Sequence, residues 1–379
     1  MFPLRPDSLS DKAFSMTEPV KRIAIMTSGG DCAGLNAVIR AVVLRADTFD
    51  WEVLGIQDGT HGLLIRPPLT TPLRAANADT VMMRQGGTIL GTTNKGDPFA
   101  YPMPDGTLKD RSGEIIDAWR TLGCDALIGI GGDGSLAILN RLALQGGIPL
   151  VGVPKTIDND LGMTETSIGF DTAVAVATEA LDRLQPTAAS HDSIMVLEVM
   201  GRDAGHIALS AGIAGGADVI LIPEIPYDIK NVADHIKEIH KHGRNFALVV
   251  VSEAVKTSSG ETVTTLLYGG EKRLGGIGHA IGAQIAELCE AETRVTVLGH
   301  VQRGGQPSAQ DRLMAAAFGV HAVELIKAGK SGRMVAWSNR GVIDVPIAEV
   351  VLHPQQVDPK GSLVRTARGL GICLGDKVG

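Results

Sequence analysis

Three acids, Asp158, Asp160 and Glu165, and two hydroxyl residues stand around Lys155 in one short stretch, "PKTIDNDLGMTET". A carboxylate in such a loop takes a proton from an alcohol as the alcohol attacks phosphorus, and a neighbouring ammonium stabilises charge on the group in transit. Upstream, "GGDGS" offers Gly132, Gly134 and Ser135 as donors to phosphate oxygens and Asp133 as a ligand for Mg²⁺. "TSGGDCAGLN" adds Gly29 and Gly30, glycines that let backbone N–H groups approach a phosphate, although Asp31 interrupts a pure anion nest. Downstream come the cations Arg202, Arg294, His300 and Arg303, and Glu253, suited to sugar hydroxyls. Each feature has a plainer reading: a tight turn, an Asp helix cap, an Asx-turn or a surface ion pair. Five sites sharing one chemistry outweigh the plain readings taken singly.

These residues need elements to hold them. Near-continuous Val/Ile/Leu runs at 22–27, 126–130, 149–154, 194–200, 218–222, 246–252 and 294–300 read as parallel strands buried on both faces. Amphipathic stretches at 35–46, 135–145, 170–184 and 308–326 read as helices. Strand, glycine loop, helix is the grammar of a doubly wound α/β fold, in which ligands bind beyond the carboxyl ends of the strands. Every candidate loop falls there. The stretch 331–358 reads as two further short strands, 359–379 as a tail, and no internal duplication stands out.

The composition excludes several classes. The 379 residues are 44% hydrophobic and 20% charged, with a net charge of −7. That charge favours neither nucleic acid nor an anionic membrane, and 3% aromatics give little for base stacking. Cys32, Cys124, Cys289 and Cys373 have no CxxC spacing, which indicates free thiols in a reducing compartment. No apolar run reaches the ~18–20 residues of a membrane span, and no signal-peptide pattern is present. A cytoplasmic protein is expected. The polar, Pro-containing start is expected to be a disordered extension over 1–20.

Taken together, residues 20–330 resemble the 6-phosphofructokinase family, through "TSGGDCAGLN", "GGTILGTT", "GGDGS", "TIDND", "MGRDAG" and "ETRVTVLGHVQRGG" in order. A NAD kinase or lipid kinase would share only the "GGDGS" loop. The resemblance implies transfer of a phosphoryl group to the 1-hydroxyl of fructose 6-phosphate with Mg²⁺. It implies Asp158 as general base, supported by Lys155, Thr156, Asp160 and Arg202. Gly29, Lys95, Gly132, Gly134 and Ser135 would hold the donor, and Asp133 the metal. Thr156, Ile157, Asp158, Met200, Gly201, Arg202 and Glu253 would contact the sugar phosphate, with Arg294, His300, Val301, Gln302 and Arg303 at its 6-phosphate. Part of that site comes from a neighbouring subunit in this family, so a homodimer or homotetramer is expected.

This chain departs from the family pattern in four places. Ser193 stands where many members have an arginine toward the 6-phosphate, with His191 a candidate to compensate. Asn94 replaces an arginine near the transferring phosphate, with Lys95 beside it. On the first helix Arg40 has Leu44 where a second arginine would serve a nucleotide effector, so that regulation is not expected. Finally, the two positions that sort donors are mixed, as in the branch called group III. Gly134 resembles ATP users and Lys155 resembles pyrophosphate users. An acid at 134 would put charge and bulk where the α-phosphate of ATP must lie, whereas a lysine at 155 helps either donor. ATP is therefore expected, with a pyrophosphate-dependent enzyme or a non-catalytic sensor as the alternatives.

The expected architecture is two doubly wound α/β/α lobes with the site between them. Residues 21–160 and about 293–330 form a donor lobe, 161–292 a sugar-phosphate lobe, and 331–379 strands and a tail packing on both.

Overall fold

The structure, a computed structural model, describes residues 22–257, 260–266 and 272–377. The extension expected over 1–20 lies outside them.

Two sheets organise the chain. The larger runs, in spatial order, Gly341–Pro346, Arg333–Ser338, Leu150–Pro154, Ala126–Gly131, Arg22–Thr27, Glu52–Ile56 and Thr70–Leu73. Its inner strands are parallel, and Gly341–Pro346 and Thr70–Leu73 close its edges in antiparallel pairing. The smaller sheet runs Thr293–Val297, Ile194–Val199, Ala247–Ser252 and Val219–Leu221, all parallel. Seven apolar runs read from the sequence are all strands here.

The period-two alternation of a strand explains why those runs are apolar throughout. Ile23 and Ile25 enter one hydrophobic cluster, while Ala24 and Met26 enter the cluster on the opposite face. Ile194 and Val196 split from Leu197 and Val199 in the same way. Both faces are covered, so the few polar residues there are bonded, as Glu198 is to Gly276 N and Gly278 N.

Strand Thr293–Val297 was expected in the donor lobe, yet it pairs with Ile194–Val199 in the smaller sheet. The helix that follows, Ala309–Lys327, returns to the larger lobe and packs on helix Leu35–Asp47. A Cβ at Gly319 would lie 2.6 Å from the Ala41 Cβ and 2.9 Å from the Val38 carbonyl oxygen, so glycine allows this close crossing. Two polypeptide crossings therefore join the lobes before the C-terminal segment does. Asp311 adds another tie, since its buried carboxylate accepts hydrogen bonds from Gly169 N and Thr172 N, both at 2.9 Å. It thereby caps helix Phe170–Ser190 from outside the helix itself.

The segment read as a tail is ordered as far as Lys377. It contains helix Ser362–Gly369, and Cys373 pairs with Val219 at the edge of the smaller sheet.

Candidate active site

The carboxyl ends of the parallel strands open onto a cleft of about 620 Å³. Sixteen of the residues read from the sequence line it: Gly29, Gly30, Asn94, Lys95, Gly132, Asp133, Gly134, Ser135, Lys155, Thr156, Asp158, Met200, Arg202, Glu253, His300 and Arg303.

Asp158 lines this cleft. It follows strand Leu150–Pro154 and is only 2% exposed. Burial, then the nearby Asp160 carboxylate, pushes its pKa up to about 7, so it can take up and release a proton near neutral pH. Oδ1 has no hydrogen-bond partner in the protein. The Thr156 hydroxyl accepts from Asp158 N at 3.1 Å and stands 3.0 Å from Asp160 Oδ1 and 3.4 Å from Asp158 Oδ2. Its single proton serves only one carboxylate at a time, and the shorter contact is to Asp160. One Asp158 oxygen is thus left for an incoming hydroxyl.

The "GGDGS" glycines open helix Asp133–Gly146, whose first turn has no side-chain cap. Its leading N–H groups face the cleft as an anion site. At Gly134 a Cβ would meet nothing within 4 Å, so the space over that turn is open. Gly29 differs: φ is +84°, and a Cβ would fall 2.7 Å from Ser135 Oγ. There glycine is required by both backbone and neighbour.

Two cations grip the first glycine loop. Lys155 Nζ donates to the Gly30 carbonyl at 2.5 Å, and Arg303 Nη1 donates to the Asp31 carbonyl at 3.0 Å. Lys155 is 3% exposed, and burial lowers its pKa. The sequence suggested an ammonium reaching the phosphoryl in transit; the structure has it holding the loop.

The opposite wall is the "MGRDAG" loop. Arg202 is a non-glycine residue at φ 49°. Its N–H and that of Gly201 donate to Glu253 Oε1 at 3.1 and 3.3 Å, which holds the loop in that shape. Burial raises the Glu253 pKa. The Arg202 guanidinium reaches across to Asp133 Oδ1 at 3.1 Å and lies 3.8 Å from Asp160 Oδ2. The two acids share one cation position.

Six of the residues read from the sequence do not line the cleft. Asp160 stands just behind it, joined to Thr156, and Gly201 contributes its backbone to Glu253. Ile157 is buried. Gln302 is buried too, accepting from Met200 N at 2.7 Å, which makes it a support of the loop. Val301 is exposed beside it. Arg294 lies on the outer strand of the smaller sheet, paired with Glu292 at 2.8 Å. Ser193 is buried, its hydroxyl without a partner. Asn94 and Lys95 are both exposed at the cleft.

The structure also adds Ser28, Asp31, Thr93 and Asp97 to the lining. Ser28 and Asp31 flank the glycines of a loop already singled out. Thr93 and Asp97 flank Asn94 and Lys95, and no spacing marks them. Among the described residues no cluster of three His, Cys, Asp or Glu forms a metal cage.

A buried carboxylate facing helix-borne N–H groups across a cleft in an α/β fold is an arrangement suited to phosphoryl transfer. The comparisons narrow this further. The phosphofructokinase family model matches residues 22–326. An "ATP-dependent 6-phosphofructokinase 1" from Synechocystis sp. is 63% identical over 358 residues, covering 94% of this chain and 99% of that protein. Phosphofructokinase from Saccharomyces cerevisiae superposes with a TM-score of 0.74 at 30% identity; the match covers 93% of this chain and 47% of that longer one. A pyrophosphate-dependent phosphofructokinase from Marinobacter aquaeolei matches at 0.73, with 22% identity and 94% and 93% coverage, a likeness of fold alone. The chain belongs to the phosphofructokinase family.

Proposed function

We propose that this chain is an ATP-dependent 6-phosphofructokinase acting in glycolysis, moving the terminal phosphoryl group of ATP to the 1-hydroxyl of fructose 6-phosphate. The observation that carries this reading is the unpartnered Asp158 Oδ1 in a cleft whose other wall is the uncapped helix start at Gly132–Ser135. Asp158 takes the hydroxyl proton, the glycine-loop N–H groups hold the donor phosphates, and Arg202 and Arg303 offset charge on the acceptor side. Phosphoryl transfer asks for positioning and charge stabilisation above all.

The donor follows from Gly134. Open space over it leaves room for the α-phosphate and nucleoside, and a relative named as ATP-dependent is 63% identical. Because a pyrophosphate-dependent structure shares the fold at a TM-score of 0.73, fold does not discriminate between donors. Lys155, engaged with Gly30, supports either donor and excludes neither.

Mg²⁺ fits the donor set. Asp133 and Asp160 flank a single cation position, which Arg202 approaches here. One or two carboxylates plus substrate phosphates is the usual provision for this ion. When bound, it supplies neutralisation of the phosphate charge. Asp133 would hold it, with Asp160 behind, and Arg202 would serve the acceptor side.

Residues of the larger lobe serve the donor, and the smaller lobe, with Thr293–Val297 added, serves the sugar phosphate. We place Arg294 in the site of a neighbouring copy within a homodimer or homotetramer, since its own cleft does not include it. A glycolytic role implies the cytoplasm; among the described residues no helix is long and apolar enough to cross a membrane.

The test is the initial rate with fructose 6-phosphate and Mg²⁺, supplying ATP or pyrophosphate at equal concentration. Turnover with ATP supports the reading, preference for pyrophosphate overturns the donor assignment, and no turnover with either returns the chain to the class of sensors.

A further inference from the structure

Past residue 326, where the family match ends, the chain adds Arg333–Ser338 and Gly341–Pro346 to the larger sheet and then crosses to the smaller lobe. Residues 353–358 have no secondary structure of their own, yet their backbone is fully engaged at three points. Gln355 N donates to the Asp160 carbonyl at 2.8 Å, on the loop that bears Asp158. The Gln355 carbonyl lies 3.2 Å from His206 Nε2, on the helix that follows the Arg202 loop. Val357 N donates to Glu224 Oε1 at 2.9 Å, and that same oxygen accepts from Gly205 N at 2.9 Å, again in the Arg202 loop.

Two close approaches and a buried anchor fix the crossing. A Cβ at Gly162 would fall 2.1 Å from the His353 carbonyl oxygen, so the crossing rests directly on the loop behind the base. At Gly205 a Cβ would fall 2.8 Å from Glu224 Oε2. The Val357 side chain is buried in the main hydrophobic cluster.

We propose that residues 355–357 are a strap that sets the position of Arg202 relative to Asp158, with Glu224 as its positioning residue. The strap binds the base-bearing loop with one hydrogen bond, His206 just past the guanidinium-bearing loop with a second, and Glu224, which holds Gly205 of that loop, with a third. Glu224 touches neither substrate nor reacting atoms and does not line the cleft. It acts through a single oxygen shared between Gly205 and Val357, and removing that acceptor frees the two loops to drift. A misplacement of about 1 Å far from the chemistry costs up to about 10²-fold in rate.

The inference rests on the kinase reading, so wild-type turnover with ATP is measured first; its failure would count against that reading and leave the strap geometry untouched. Glu224→Ala is then compared with Glu224→Gln, whose amide oxygen still accepts both N–H groups, and with Val357→Pro, which removes the strap's N–H together with some buried side-chain packing. We expect Glu224→Ala and Val357→Pro each to lower kcat by about tenfold and to raise KM for fructose 6-phosphate, while KM for ATP holds. Glu224→Gln should restore both to within about twofold, and the double variant should be no worse than either single one. Unchanged kcat and KM per folded molecule, with only a lowered Tm, would reduce the strap to a stability element and overturn the proposal. Failure of the Gln variant to rescue would overturn it too.

Discussion

Lys155 Nζ lies 2.5 Å from the carbonyl oxygen of Gly30, inside a wall that is 3% exposed at the lysine. Arg303 takes the next carbonyl, that of Asp31. Consecutive carbonyls drawn to cations orient the intervening peptide, and with it the N–H groups a donor phosphate meets. Lys155→Met should therefore raise KM for ATP by about 10-fold or more, the worth of one charged hydrogen bond. It should leave kcat within a few-fold and KM for fructose 6-phosphate unchanged. A loss of kcat without a change in KM for ATP would mean that the ammonium acts on the phosphoryl in transit.

Asp158 sets the pH dependence. With its pKa near 7 in the empty cleft, the ionised base is lost as pH falls, so kcat/KM should drop tenfold per unit below about pH 7. Asp158→Asn should lower kcat by at least about 10²-fold and abolish that limb. A profile flat from pH 6 to 8 in the wild type would remove Asp158 as the base.

The same group makes a prediction about stability. Its pKa rises from 3.8 to about 7 on folding, so the native state holds the proton more tightly than the unfolded chain does. Stability from this group is present below 3.8 and lost as pH rises through 7. Asp158→Asn should thus raise Tm at pH 8, by about 2–5 °C, with the advantage shrinking toward pH 4. Thermal melts of the two proteins at both pH values test the sign.

Gly134→Asp is the donor experiment. A Cβ there meets nothing within 4 Å, so the variant should fold with an unchanged Tm. The new carboxylate projects toward the open space and should raise KM for ATP far more than it affects pyrophosphate. An equal effect on both donors would sink the argument from charge and bulk.

Arg294→Ala tests the sharing of the site. Its guanidinium pairs with Glu292 on an outer strand and does not line its own cleft. If a neighbouring copy receives it, KM for fructose 6-phosphate should rise severalfold with no change in KM for ATP. Mixing this variant with Asp158→Asn should then restore a fraction of the activity, because some clefts receive both intact residues. No recovery in mixed oligomers, alongside an unaltered KM, would make Arg294 a surface ion pair.

Much of the site was legible because strand-end loops in a doubly wound fold converge whatever the loop lengths between them. "GGDGS", "TIDND" and "MGRDAG" each follow an apolar run, and each run is a strand. What the sequence did not reveal is which sheet a run joins. Thr293–Val297, half polar and only partly buried, joins the smaller sheet as its outer strand beside Ile194–Val199, an assignment its local pattern does not carry. Local pattern was equally silent on direction: Gln302 and Arg303 are neighbours, yet one turns inward to Met200 and the other to Asp31. The C-terminal segment looked like a tail because its helix, Ser362–Gly369, is only about two turns long and the pairing of Cys373 with Val219 leaves no periodic signature.

Arg202 keeps a left-handed backbone that glycine would adopt with less strain, and Asp158 keeps a carboxylate away from water. At both positions the residue that suits the proposed reaction costs the fold some stability. Laboratory evolution for heat resistance alone would drift toward glycine at 202 and asparagine at 158, and its most durable survivors would be inert. A screen for a hardier enzyme must therefore score turnover in every round, or it will select against the chemistry it means to preserve.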